Sequence, residues 1–127
     1  MKSALVGLFL LLSSSVNANI FLPSCFNSIG GTSPVSYGYQ SCINSNFRSI
    51  ERAVEGSQFY SYCSNFGDEV SYSFTSCIQS NFRSVERALR EHNIFLQSCY
   101  NFGRDRLDYS FTSCVNSNWR SVERALR

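Results

Sequence analysis

The side chains of this sequence that could do chemistry are six cysteines, one histidine, three glutamates set among arginines, and a line of tyrosine, amide and arginine that occurs three times. The cysteines come first, because their pairing decides whether the others can be held in place. Cys25, Cys42, Cys63, Cys77, Cys99 and Cys114 lie 14 to 22 residues apart. These separations offer no close Cys pair and no histidine partner for zinc. They also lack the two-residue spacing of a redox pair. Disulfides are the remaining chemistry, and one arrangement treats three similar segments alike: Cys25 with Cys42, Cys63 with Cys77, Cys99 with Cys114. The rival arrangement joins neighbouring segments, Cys42 with Cys63 and Cys77 with Cys99.

His92 has no counterpart elsewhere in the chain and no spaced nucleophile to serve. It reads as a surface or junction residue. Glu51, Glu86 and Glu123 each sit in a run Arg-Ser-Ile/Val-Glu-Arg, which reads as i, i+3 ion pairing on a solvated helix face. General acid–base work would need two carboxylates converging on one cleft, and nothing in the spacing brings them together. The sequence therefore predicts no catalytic residue, no metal site and no cofactor.

Three lines of residues remain as candidate binding groups: Tyr37, Asn44 and Arg48; Tyr72, Gln79 and Arg83; Tyr109, Asn116 and Arg120. Each set falls at i, i+7 and i+11, one line along a helix away from its apolar stripe. Tyrosine and arginine are enriched at interface hot spots, so stacking the segments would present a repeated ladder. Packing of a neighbouring segment over the tyrosines is the structural alternative. Asn46, Asn81 and Asn118 fall inside the apolar face, where a buried amide needs partners. A repeated hydrogen bond to neighbouring backbone is the expectation for them.

The elements that must position these groups follow from an internal repeat. Asn19–Cys25 returns as Asn93–Cys99, with a looser copy at Ser57–Cys63, and Ser41–Val54 recurs as Ser76–Leu89 and Ser113–Leu126. Three units of about 36 residues result, at 19–56, 57–92 and 93–127. From Asp68 onward Val70, Phe74, Cys77, Ile78, Phe82, Val85, Ala88 and Leu89 gather on one side at 100° per residue, which predicts an amphipathic helix of about twenty residues. Val70–Phe74 alternates with period two, as a strand would, but only for five residues. The helix is expected to start near Ser33, Asp68 and Asp105, with Pro34 in a first-turn position. Phe95, Cys99 and Phe102, repeated as Phe59, Cys63 and Phe66, predict a shorter first helix in each unit, closed by Gly30, Gly67 or Gly103. The Leu89–Ile94 junction holds no glycine or proline, so helices are expected to run on there.

The expected fold is thus all-α: three disulfide-stapled helical hairpin repeats in one domain, as a closed bundle or a short solenoid. The third unit ends in full repeat phase. Trp119, Val122 and Leu126 must therefore be buried by closure or meet a partner, such as another copy of the chain.

Residues 1–18 read as a signal peptide: Lys2, an apolar run from Ala4 to Leu12, and small residues up to Ala18. The run is too short for the roughly 20 residues of a membrane span. Leu22–Cys25 only faintly matches a lipidation box. After cleavage the chain carries ten arginines, no lysine and nine acids, and this balance excludes nucleic-acid binding by bulk charge. The functional expectation is a secreted or periplasmic, non-enzymatic interaction module for an extracellular protein or other ligand. The alternative is a small secreted effector or toxin acting on membranes or on host or competitor targets, though it would lack a lysine-rich amphipathic face. A small secreted hydrolase is disfavoured for want of a catalytic constellation.

Overall fold

The computed structural model describes residues 20–28, 33–54 and 60–127. The proposed signal peptide, Phe59 and Gly30 lie outside these. Three helices of equal length carry the fold, α1 (Tyr37–Ala53), α2 (Tyr72–Ala88) and α3 (Tyr109–Ala125), and the described residues contain no strand. Their repeated apolar spacing places Phe74, Ile78, Phe82 and Val85, with their counterparts, on one buried stripe.

Each helix begins three residues later than the sequence suggests. The N-caps are Ser36, Ser71 and Asp108 rather than Ser33, Asp68 and Asp105. An asparagine two residues after the first cysteine of each unit explains the shift. The Asn27, Asn65 and Asn101 side chains accept from the N–H of Ser36, Ser71 and Asp108, at 2.7, 2.7 and 2.6 Å. Their amide nitrogens donate to the carbonyls of Pro34, Glu69 and Arg106. Each asparagine thereby folds the loop before its helix into a turn, and Pro34 lies in that turn rather than in the helix.

The segment before each loop is extended, not the short helix expected. In the arm at 20–28, Leu22 and Cys25 are buried, while Phe21 and Phe26 are more than 70% exposed. The arm at 94–102 buries Leu96 and Cys99 and exposes Phe95, Tyr100 and Phe102. Helical spacing had placed Phe95, Cys99 and Phe102 on one face. In the extended arm the buried residues are three apart, Leu96 and Cys99, and Phe95 and Phe102 face out. Gly67, at φ +96°, ends an arm rather than a helix. At the 89–94 junction the helix stops in a single 3-10 turn, Arg90–His92, followed by Asn93 at φ 52°.

Hydrogen bonds fix how arms and helices assemble. Glu51, Asn44 and Gln40 of α1 accept from the N–H groups of Tyr60, Cys63 and Asn65 in that order, so the second arm runs antiparallel to α1. Asn81, Cys77 and Ser71 meet Ser61, Cys63 and Asn65, so it is antiparallel to α2 as well. α1 and α2 therefore run parallel, with the arm in the groove between them. The third arm lies the same way between α2 and α3. The first closes the ring, because Leu22 and Cys25 donate to Glu123 and Asn116 of α3, across 101 and 91 residues. The architecture is a closed, pseudo-threefold bundle of three parallel helices.

Phe47, Phe82 and Trp119, the same position in each unit, meet at its centre with ring centroids 4.8–4.9 Å apart. Trp119, Val122 and Leu126 are all buried there. Closure buries the end of the third unit, so Trp119, Val122 and Leu126 present no exposed surface through which copies could associate.

The disulfides are Cys25–Cys42, Cys63–Cys77 and Cys99–Cys114, with Cα–Cα distances of 5.7, 5.6 and 5.6 Å. Each ties an arm to its own helix, and all three repeats are stapled. Such bonds persist in oxidising compartments. No helix among the described residues is long and apolar enough to cross a membrane.

Candidate binding surface

The predicted ladder separates into three levels with different roles. Its amides are used by the fold. Asn44 donates to the Cys63 carbonyl at 2.8 Å and accepts from the Cys63 N–H at 2.8 Å. Asn116 does the same for Cys25, at 3.1 and 2.8 Å. Gln79 pairs likewise with both backbone groups of Cys99. Each helix thus holds the next unit's arm through a side chain that imitates a neighbouring strand.

Asn46, Asn81 and Asn118 hold each helix's own arm two residues earlier. Asn81 bonds both backbone groups of Ser61, at 3.0 and 2.8 Å, and Asn118 both groups of Gln97, at 2.9 Å each. Asn46 donates to the Pro23 carbonyl at 2.9 Å. The expected hydrogen bond to neighbouring backbone is present, and that backbone is the helix's own arm.

The arginines lie a further turn along. Arg83 bonds Ser98 and pairs with Glu86 at 3.4 Å, and Arg120 reaches Ser24. Eleven residues at 1.5 Å each put an arginine about 16 Å along the helix from its tyrosine, yet in the third unit Tyr109 and Arg120 both line one long cleft. The glutamates also have a role that the sequence reading missed. Glu51, Glu86 and Glu123 accept the N–H of Tyr60, Leu96 and Leu22 at 3.1, 2.8 and 2.6 Å. They are arm anchors, and Glu86 also pairs with Arg83. His92 is exposed in the 3-10 turn, at the helix C-terminal end.

The tyrosines are the ladder's outward members. Tyr37, Tyr72 and Tyr109 occupy the first position of each helix and are 81%, 84% and 85% exposed. Because the helices are parallel, all three stand at one end of the bundle. The arms finish at that same end and add Phe26, Phe66, Tyr100 and Phe102. Seven of the ten exposed large hydrophobics among the described residues therefore stand at this end, as an aromatic crown. The arm aromatics were legible only once the arms were known to be extended.

Two clefts open between units at the crown. One, of about 850 Å³, lies between the first arm and the start of α3 and is lined by Phe26, Tyr109, Asp105, Arg106 and Arg120 among others. The second, of about 560 Å³, lies between the loop before α2 and the end of the third arm; Phe66, Tyr72 and Phe102 line it. The Val70 N–H, donating to the Arg104 carbonyl at 2.8 Å, ties its two sides together. Charge is unevenly placed. The crown carries Asp68, Glu69, Asp105 and Asp108 against Arg104 and Arg106. Among the described residues, the second halves of the helices, with those that follow them, carry eight arginines against Glu51, Glu86, Glu91 and Glu123. That placement complements the helix dipoles. Comparison with protein-family models, curated proteins and solved structures finds no match for this chain.

Proposed function

We propose that the protein is a non-enzymatic binding module, exported to an oxidising compartment, that engages its ligand with the aromatic crown. The crown carries this reading: a monomeric domain seldom leaves so many large rings together in water unless they meet something. The polar side chains that might have served catalysis are occupied elsewhere. The three repeated glutamates hold arm amides, and the lone histidine stands at the opposite end. The acidic balance of the crown disfavours anionic lipid and nucleic acid as ligands.

The test compares the oxidised protein with a variant carrying Tyr37→Ser, Tyr72→Ser and Tyr109→Ser. All three side chains are exposed, so the fold should persist, as circular dichroism would verify. Each protein is immobilised and exposed to envelope and extracellular material from the source cells. Retention of the same species by both proteins would refute the crown as the binding surface. Species held by the wild type alone support it.

A further inference from the structure

We infer that the ligand of the crown is a neutral polysaccharide, stacked on the exposed rings and spanning adjacent clefts. This deepens the binding reading above and rests on it. Three observations select the class of ligand.

The first is the arrangement of the rings. Phe66, Tyr72 and Phe102 are each more than 80% exposed, and none is in ring contact with another among the described residues. They are separate open platforms, not the closed aromatic box that surrounds a quaternary ammonium ion. A pyranose ring offers a face of polarised C–H groups that matches the negative face of an aromatic ring.

The second is the polar lining. The larger cleft carries the hydroxyls of five serines and a threonine, and the smaller those of Ser71 and Thr75. Carboxylates and guanidiniums are balanced in the larger cleft: Asp105 and Asp108 against Arg106 and Arg120. In the smaller, Asp68 and Glu69 outnumber Arg104, which weighs against an anionic ligand. A sugar hydroxyl both donates and accepts, and a mixed lining of this kind supplies partners of both sorts.

The third is repetition. Both clefts flank the third unit, and consecutive residues divide between them, Arg104 in one and Asp105 in the other. A ligand with its own repeat can occupy both at once, so individually weak, open sites add up through effective concentration.

The experiment is an NMR titration of the oxidised protein with β-1,4-linked neutral hexose and N-acetylhexosamine oligomers, from dimer to hexamer. Saturable shifts at Tyr72, Phe102 and Tyr109 are expected with at least one series, and the hexamer should bind more than tenfold tighter than the dimer. Tyr72→Ser with Phe102→Ser should weaken hexamer binding about tenfold and remove most of the length dependence. Tyr62→Ser, exposed but outside both clefts, should change nothing. The proposal is overturned if no oligomer shifts the crown. It is equally overturned if tetramethylammonium, a proline-rich peptide or phosphatidylcholine vesicles shift it instead, or if the signals move with protein concentration alone. Failure here with crown-dependent retention intact would remove the sugar and leave the binding reading standing.

Discussion

Replacing Tyr39 by phenylalanine should stabilise this protein. Tyr39 is fully buried, and its hydroxyl has no hydrogen-bond partner. The same position in the other two units is Phe74 and Phe111, both fully buried, so the site accepts a bare ring without rearrangement. An unsatisfied buried polar group costs about 1–3 kcal/mol. Removing the oxygen leaves only a small gap, and a net gain of about 1 kcal/mol is expected, which raises Tm by about 4 °C in a domain of this size. The effect should grow with pH. Burial pushes the Tyr39 hydroxyl well above the ordinary tyrosine value, so above about pH 10 the unfolded chain loses this proton while the folded chain keeps it. Wild-type stability then falls with rising pH by about 1.4 kcal/mol per unit from this group alone, and the variant lacks that slope. Urea unfolding of both proteins at pH 7 and pH 10.8 measures the difference. A Tyr39→Phe protein less stable than wild type, or one whose advantage is the same at both pH values, would show that the hydroxyl is satisfied and that the reasoning is wrong.

Asn81→Ala removes a fully buried amide and leaves both backbone groups of Ser61 without their partner; a loss of about 3 kcal/mol is expected in urea unfolding. Glu86→Gln keeps an acceptor for the Leu96 N–H but loses the charge, and should cost about 1 kcal/mol, whereas Glu91→Gln, on an exposed turn, should be neutral in the same assay. Reduction should unfold the protein at room temperature, since three loops closed by disulfides at separations of 14 to 17 residues contribute about 3 kcal/mol each, as much as the whole stability of many domains. Circular dichroism with and without reductant reads this, and retained helix would refute it. Trp119→Phe should lie within about 1 kcal/mol of wild type, because it supplies the ring found at Phe47 and Phe82 and removes an indole N–H that has no acceptor; Trp119→Ala should cost about 4 kcal/mol, because it opens a cavity in the central cluster.

The helices and the disulfides were legible because both are local. A stripe repeating every three to four residues over seventeen positions has one solution, and three equivalent cysteine pairs have one arrangement that uses all six and treats the units alike. The arms were not legible for the opposite reason. Phe95, Cys99 and Phe102 satisfy helical spacing as well as any short apolar set does. What makes them extended is their environment: Gln79 and Glu86 from one helix and Asn118 from the next supply the hydrogen bonds that a helical arm would have made internally. Those partners lie 10 to 21 residues from the groups they bind, and for the first arm 91 and 101 residues away across the ring, beyond the reach of local periodicity.

The same clamping decides which residues are left for a ligand. Within each helix the repeat fixes an apolar stripe for the core, an amide and a glutamate for the next unit's arm, and an asparagine for the helix's own arm. The first and third arms bury residues three apart, Leu22 and Cys25 or Leu96 and Cys99, and turn the residues that flank these pairs outward. At the end where the arms finish, exposed aromatics occur in all three units, at Phe26, Phe66, Tyr100 and Phe102. Folding requires no large apolar side chain at those positions, nor at the first helical position, where Tyr37, Tyr72 and Tyr109 make no core contact. Rings repeated where the fold has no use for them are the physical reason to place the ligand at the crown rather than along the arginines.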